Sequence, residues 1–146
     1  MPTGTASMSD KYFVDTNILI YSQDASEPHK QPIARKLLEK LWNERSGSLS
    51  VQVLNEYFVN VTRKIEFPLT PQEAWSDVQA FQAWHPTPLT MELMERSHRL
   101  HLAHSLSWWD SLIVSAAQAS CCTLLYSEDL SHNAHYDQVR ICNPFF

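Results

Sequence analysis

Glycine is nearly absent from this chain of 146 residues, with two in all, and no Asn-Gly or Asp-Gly pair occurs in it. Tight two-residue hairpins draw on those pairs for their positive backbone angles, so a fold built from hairpins is disfavoured. Cysteine is scarce too: Cys121 and Cys122 are adjacent, Cys142 stands apart, the count of three is odd, and there is no CxxC spacing. That disfavours a disulfide framework and a zinc knuckle, and fits a reducing cytoplasm. No apolar run approaches the roughly 20 residues that cross a membrane, so a soluble protein without membrane association is expected. The formal charge of −5 argues against a generally basic surface, although a local basic patch or a metal ion can still meet a phosphate. Repeats, low-complexity segments and linkers are missing as well. The opening MPTGTAS lacks the basic and apolar regions of a signal peptide, so residues 1–10 are expected to be a disordered leader or expression remnant, with Met8 a candidate start.

What is there fits one domain over residues 11–146, with a hydrophobic fraction of 44% and a charged fraction of 18%. Tyr12 to Val14 reads as a short buried strand ending in polar Asp15, Thr16 and Asn17, with a helix or turn starting at Ile18. Ile33, Ala34, Leu37, Leu38, Leu41 and Trp42 recur at helical spacing, predicting an amphipathic helix from Gln31 to Glu44. A second strand is expected over Ser48 to Val51 and a helix over Val53 to Ile65. Thr70 caps a helix opening at Pro71 whose apolar face runs to Trp84, and HPTPL at 85 to 89 breaks it, with Leu89 assigned to a short strand. Helices from Met91 to about Ala103 and from Trp108 to about Ser120 follow, then strands at Thr123 to Tyr126 and Val139 to Cys142. Helices alternating with short apolar strands predict an α/β fold, a mainly parallel sheet of four to five strands with helices on both sides.

In open α/β sheets, ligands bind outside the carboxyl ends of the strands. Asp15 follows the first strand and Asp129 follows LLY, while Glu56 and Asp110 lie early in helices that would start at the same rim. Singly, each acid has an ordinary explanation as a turn residue, a cap or a charge at a helix N-terminus. Together they conflict: two carboxylates about 4 Å apart repel by roughly 4 kcal/mol at an effective dielectric near 20, so four call for a proton or a cation. Mg²⁺ or Mn²⁺ answers that need with oxygen ligands, and can orient and acidify a water and stabilise the attacking and leaving oxygens on a phosphodiester. Asn17 and Ser127 are expected to support the ligands from behind.

At these residues the sequence resembles the PIN-domain family, metal-dependent ribonucleases that include the VapC-type toxins of toxin–antitoxin modules. The resemblance covers the chain from about residue 11 to the end and rests on FVDTNILIY at 13 to 21, VLNEYF at 53 to 58, SWWDSLIVSAA at 107 to 117 and LLYSEDL at 124 to 130, in the family's order and spacing. It implies a three-layer α/β/α arrangement, an acidic pocket for Mg²⁺ or Mn²⁺, and endonucleolytic hydrolysis of RNA. Asp15, Glu56 and Asp110 match the family's three principal acids, Asp129 the fourth, and Asn17 and Ser127 polar partners; Glu128 is an alternative to Asp129. A toxin role further implies a small antitoxin covering an apolar groove, and a symmetric homodimer. The competing reading is a non-catalytic module that keeps the fold to hold RNA or a protein partner.

Other features carry less. His98, His101 and His104 invite a zinc reading, but spacing of three turns each side chain about 60° back, and the third drifts off the first one's face. His104 adjoins the helix start at Trp108 to Asp110 and is a candidate phosphate contact, while His132 and His135 are expected in an exposed turn. Trp108 and Trp109 could stack on an unpaired base, with at least one of them expected to be mostly buried. Arg63 and Lys64 are candidate RNA contacts among helix-face cations that otherwise read as solvated.

Overall fold

The computed structural model describes residues 10–146. The leader assigned to residues 1–10 therefore lies, but for Asp10, outside the described residues. Strand β1 (Tyr12–Val14) is an inner strand, flanked by β2 (Gly47–Ser48) and β3 (Leu124–Tyr126), and β3 in turn pairs with β5 (Val139–Cys142). These four run parallel, with Phe13 opposite Ser48 on one side and Leu125 on the other. The short edge strand β4 (His135–Tyr136) is antiparallel to β5 and completes the order β2-β1-β3-β5-β4.

The helices are α1 (Thr16–Gln23), α2 (Lys30–Glu44), α3 (Val51–Arg63), α4 (Pro71–Ala80), α5 (Met91–His104) and α6 (Trp108–Ala119). The crossover from β1 to β2 and the one from β2 back past β1 to β3 run in opposite directions across the sheet. Because parallel crossovers are right-handed, that reversal covers both faces with helices. The hydrophobic cluster joins Phe13, Val14, Leu125, Val139 and Ile141 of the strands to Ile18, Val53, Tyr57 and Val114 of the helices. Capping follows the sequence closely. Thr70 and Glu73 form a full capping box at Pro71, and Ser50, Thr90 and Ser107 each accept a backbone N–H in the first turn of α3, α5 and α6.

Several expectations are corrected. The strand placed over Ser48 to Val51 is Gly47–Ser48, because Ser50 is taken as the N-cap of α3. Leu89 is in no strand and is 52% exposed. Instead Thr87 pairs with Ser50 in an isolated bridge, which ends where Val51 opens α3. The helix drawn from Pro71 to Trp84 is α-helical only to Ala80 and tightens to a 3-10 turn over Phe81–Trp84. Spacing of three in that turn brings Phe81 and Trp84 together against Trp42, with ring centroids 5.0 to 5.8 Å apart. His135 is exposed but lies in β4, joined to β5 through Asp137 and Gln138. Asp137 supplies the left-handed backbone (φ 55°) that glycine usually provides. Of the two tryptophans at the start of α6, Trp108 is the one mostly buried, as expected of one of the pair, and Trp109 is 61% exposed.

Candidate active site

Strand β1 ends at Val14, and Asp15 follows as the N-cap of α1, its Oδ1 accepting the Thr16 N–H at 2.7 Å. Asp15 is 5% exposed. Its Oδ2 accepts from the Ser127 hydroxyl at 2.8 Å, a residue that follows β3 directly, so the two strand ends are tied at one rim. Ser127 Oγ also accepts the Asp129 N–H at 3.1 Å. Asn17 Nδ2 donates to Asp129 Oδ2 at 3.0 Å and stands 3.5 Å from Asp15 Oδ2. Asp15, Asn17, Ser127 and Asp129 thus form one connected network.

Glu56 reaches the same rim from the second turn of α3, where Thr16 Oγ1 donates to its Oε1 at 2.6 Å. Gln52, one turn earlier, donates to Glu56 Oε2 at 3.3 Å and to the Trp109 carbonyl at 3.4 Å, linking α3 to the start of α6. Asp110 sits in the first turn of α6, its own N–H given to Ser107 Oγ at 3.1 Å. Neither carboxylate oxygen of Asp110 is bonded within the network; it joins the group through its field. A cleft of about 510 Å³ opens above, lined by Thr16, Asn17, Glu56, Asp129 and, further along α3, Asn60 and Lys64.

The electrostatics are one-sided. Burial pushes Asp15 up to about 7; the Ser127 and Thr16 hydrogen bonds oppose that, and the charges of Asp129 and Glu56 add to it. Asp110 is raised mainly by desolvation, partly offset by Ser107, with Asp129 and Glu56 again adding. Among the described residues, no lysine or arginine pairs with any of the four acids. Glu128 differs: burial raises it, but hydrogen bonds from Lys30 and Tyr21 outweigh that and hold it below the usual range. Its carboxylate is therefore committed elsewhere, leaving Asp129 as the acid of that pair that lines the cleft. All-oxygen donors of one sign, one of them buried, suit a hard divalent cation. Among the described residues, however, no three such side chains stand close enough to enclose an ion as they are.

Of the other candidates, Lys64 lines the cleft, whereas Arg63 is exposed and does not. The exposed His104 lies edge-on to Tyr136 at 5.0 Å between ring centroids, and Tyr136 in turn feels the charge of Asp110. His101 Nδ1 meets the Leu106 carbonyl at 2.5 Å. Two supporting residues escape a sequence reading, Thr16 and Gln52. Thr16 lies inside the quoted DTN, and Gln52 stands four residues before Glu56 on one helix face, the spacing that brings side chains together.

The family model described as PIN domain matches residues 12–137. No curated protein matches the chain. Among solved structures, a toxin–antitoxin complex from Klebsiella pneumoniae is similar, with TM-score 0.65 and 19% identity over 92% of this chain and 98% of that one. VapC20 of Mycobacterium tuberculosis, described as a Sarcin-Ricin loop cleaving toxin, aligns with TM-score 0.60 and 18% identity over 82% of this chain and 90% of that one. Identities this low speak to the fold.

Proposed function

The chain belongs to the PIN-domain family, and from that premise we propose that it is a metal-dependent endoribonuclease acting as the toxin of a toxin–antitoxin pair. The observation that carries this reading is Asp15, a buried carboxylate with no cation bonded to it among the described residues, hydrogen-bonded through Ser127 and Asn17 to the turn that presents Asp129. Asp15, Glu56, Asp110 and Asp129 would hold Mg²⁺ or Mn²⁺. When bound, the cation supplies charge neutralisation at the phosphate, a more acidic water and support for the departing 3′ oxygen.

The protein's own residues prepare that chemistry. Thr16 and Gln52 hold Glu56 from two sides, so its carboxylate faces the rim. Asn17 and Ser127 fix Asp15 and Asp129 relative to each other. Lys64, beside the acids in the cleft, is placed to take a neighbouring phosphate, and exposed Trp109 at the head of α6 offers a face for an unpaired base. Hydrolysis in line with the 3′ oxygen leaves a 5′-phosphate. An apolar groove of about 320 Å³ between α3 and α4, lined by Val51, Leu54, Phe58, Trp75 and Val78, suits an antitoxin segment. Such a partner is supported by the Klebsiella neighbour, itself a toxin–antitoxin complex. The proposed homodimer is checked by sedimentation. No described helix is long and apolar enough to cross a membrane, which accords with the proposed cytoplasmic site of action.

The failure of the acids to enclose an ion as they stand favours the second reading, a non-catalytic binding module. Calorimetric titration with Mn²⁺ separates the two. Binding in the low millimolar range or tighter, with RNA cleavage lost in Asp15→Asn and Asp110→Ala, is the expected result; no heat of binding and undiminished cleavage in Asp15→Asn would each sink the nuclease mechanism.

A further inference from the structure

One support of the acidic rim lies outside the cleft. Glu128 adjoins Asp129 in sequence, but its side chain turns away: Lys30 Nζ donates to Glu128 Oε2 at 2.5 Å, and the Tyr21 hydroxyl donates to Oε1 at 2.5 Å. Among the described residues this is the one ion pair. Lys30, the first residue of α2, stands 4.7 Å from the centroid of the Tyr21 ring and 5.6 Å from that of Phe145, and the two rings meet edge to face at 5.2 Å. Two separate parts of the chain, α1 and α2, thereby converge on one carboxylate, and Phe145 of the C-terminal segment packs against both residues that hold it. An ammonium held between two rings loses the freedom that makes most surface ion pairs weak.

The backbone of the same residue faces the acids. The Glu128 N–H donates to Asn17 Oδ1 at 3.2 Å. With Oδ1 occupied in this way, the Asn17 amide is oriented so that Nδ2 faces Asp129 and Asp15. Glu128 is thus anchored by its side chain on one side and orients the bridging amide with its backbone on the other.

We propose that Lys30 is a positioning residue: with Tyr21 and Phe145 it clamps Glu128, which holds the turn at 127–129 and sets Asn17 to bridge Asp15 and Asp129. This role rests on the metal-site reading given above, and it extends the working site to residues that touch neither substrate nor cation. Nothing local in the sequence signals it, since Lys30 and Glu128 are 98 residues apart.

The test uses the full chain with Lys30→Met, which keeps the apolar stem and removes the charge, Lys30→Arg, which keeps the charge, and Ile141→Val, a core truncation at the buried β5 position. The readouts are the Mn²⁺ dissociation constant by calorimetry and, in metal-free protein, hydrogen exchange at the Glu128 amide. Lys30→Met is expected to weaken Mn²⁺ about tenfold, the scale seen when ligand-orienting partners are lost, and to speed Glu128 exchange about tenfold. Lys30→Arg recovers most of both, and Ile141→Val lowers the melting temperature while leaving Mn²⁺ affinity unchanged. Wild-type affinity and wild-type exchange in Lys30→Met would overturn the proposal, as would an equal loss of affinity in Ile141→Val. If the wild-type protein binds no Mn²⁺, the metal reading fails, and the exchange rate of Glu128 in Lys30→Met still decides whether Lys30 orders the turn.

Discussion

The two ends of the parallel strands are built on opposite principles. At the carboxyl rim, Asp15 is buried, pairs with no lysine or arginine among the described residues, and feels the like charges of Asp129 and Glu56. At the amino rim, where Tyr12 of β1 lies opposite Gly47 of β2, the space is filled by aromatic packing: Trp84 lies against Gly47, and Trp42 and Phe81 close around it. One rim holds unfavourable electrostatics that binding can relieve, and the other is satisfied as it stands. Substitutions at the two ends should therefore move stability and activity in different combinations.

The largest effect is expected at Asp15. Asp15→Asn keeps the shape and the cap acceptor but removes the charge, and cleavage should fall at least about a thousandfold, equivalent to roughly 4 kcal/mol. Stability should move the other way. An acid raised from 3.8 to about 7 by folding binds its proton more tightly in the native state. Its stabilising contribution is therefore complete below pH 3.8 and is lost as pH rises through about 7. In metal-free protein, Asp15→Asn and wild type should differ least in acid, and the variant should gain on the order of 4 kcal/mol by pH 8. Urea unfolding of both proteins in EDTA across that range measures the gap, and a gap that stays constant with pH would contradict the buried-acid account. Mg²⁺ should raise the wild-type midpoint at pH 8 and leave the variant's nearly unchanged.

Gly47→Ala sharpens the contrast from the other rim. A Cβ there would fall 2.5 Å from ring atoms of Trp84, which is only 7% exposed and hemmed in by Trp42 and Phe81. Overpacking of this kind costs about 3 kcal/mol. The loss should show in the urea midpoint while Mn²⁺ affinity and cleavage per folded molecule stay at wild-type values. A matching loss of Mn²⁺ affinity would mean that the two rims are coupled through β1 and β2.

How far these rims could be read from the sequence follows from the range of the forces that make them. Asp15, Glu56, Asp110 and Asp129 stand next to elements whose periodicity is plain, so their shared rim follows once the sheet is inferred to be parallel. Capping at Thr70 is a local affair of three or four residues and reads directly. The 3-10 turn at Phe81–Trp84 does not, because it depends on Trp42 lying against it. The β4 edge is not legible because its turn uses Asp137 in place of glycine, and Trp109 is exposed where α6 buries its next residues, Ser111 to Gln118. Lys30 and Gln52 act across 98 and 57 residues to Glu128 and Trp109, and only the folded chain shows them.

The scarcity of glycine also sets the smallest prediction. Left-handed backbone at the ends of α2, the 3-10 turn and α5 is taken by Arg45 (φ 55°), His85 (φ 51°) and Ser105 (φ 56°). A side chain in that region is strained by about 1 kcal/mol relative to glycine. Arg45 is exposed at the amino rim, and what holds the helix end is its N–H to the Leu41 and Trp42 carbonyls, which glycine retains. Arg45→Gly should therefore raise stability by roughly 0.5 to 1 kcal/mol, less than the full strain because glycine has more freedom to lose on folding. Cleavage should be unchanged, since the amino rim has no part in the proposed chemistry. A variant that is more stable yet cleaves RNA more slowly would show that Arg45, with Lys11 and His85 beside it around Trp42, contributes to holding RNA, and the division of labour between the two rims would then have to be redrawn.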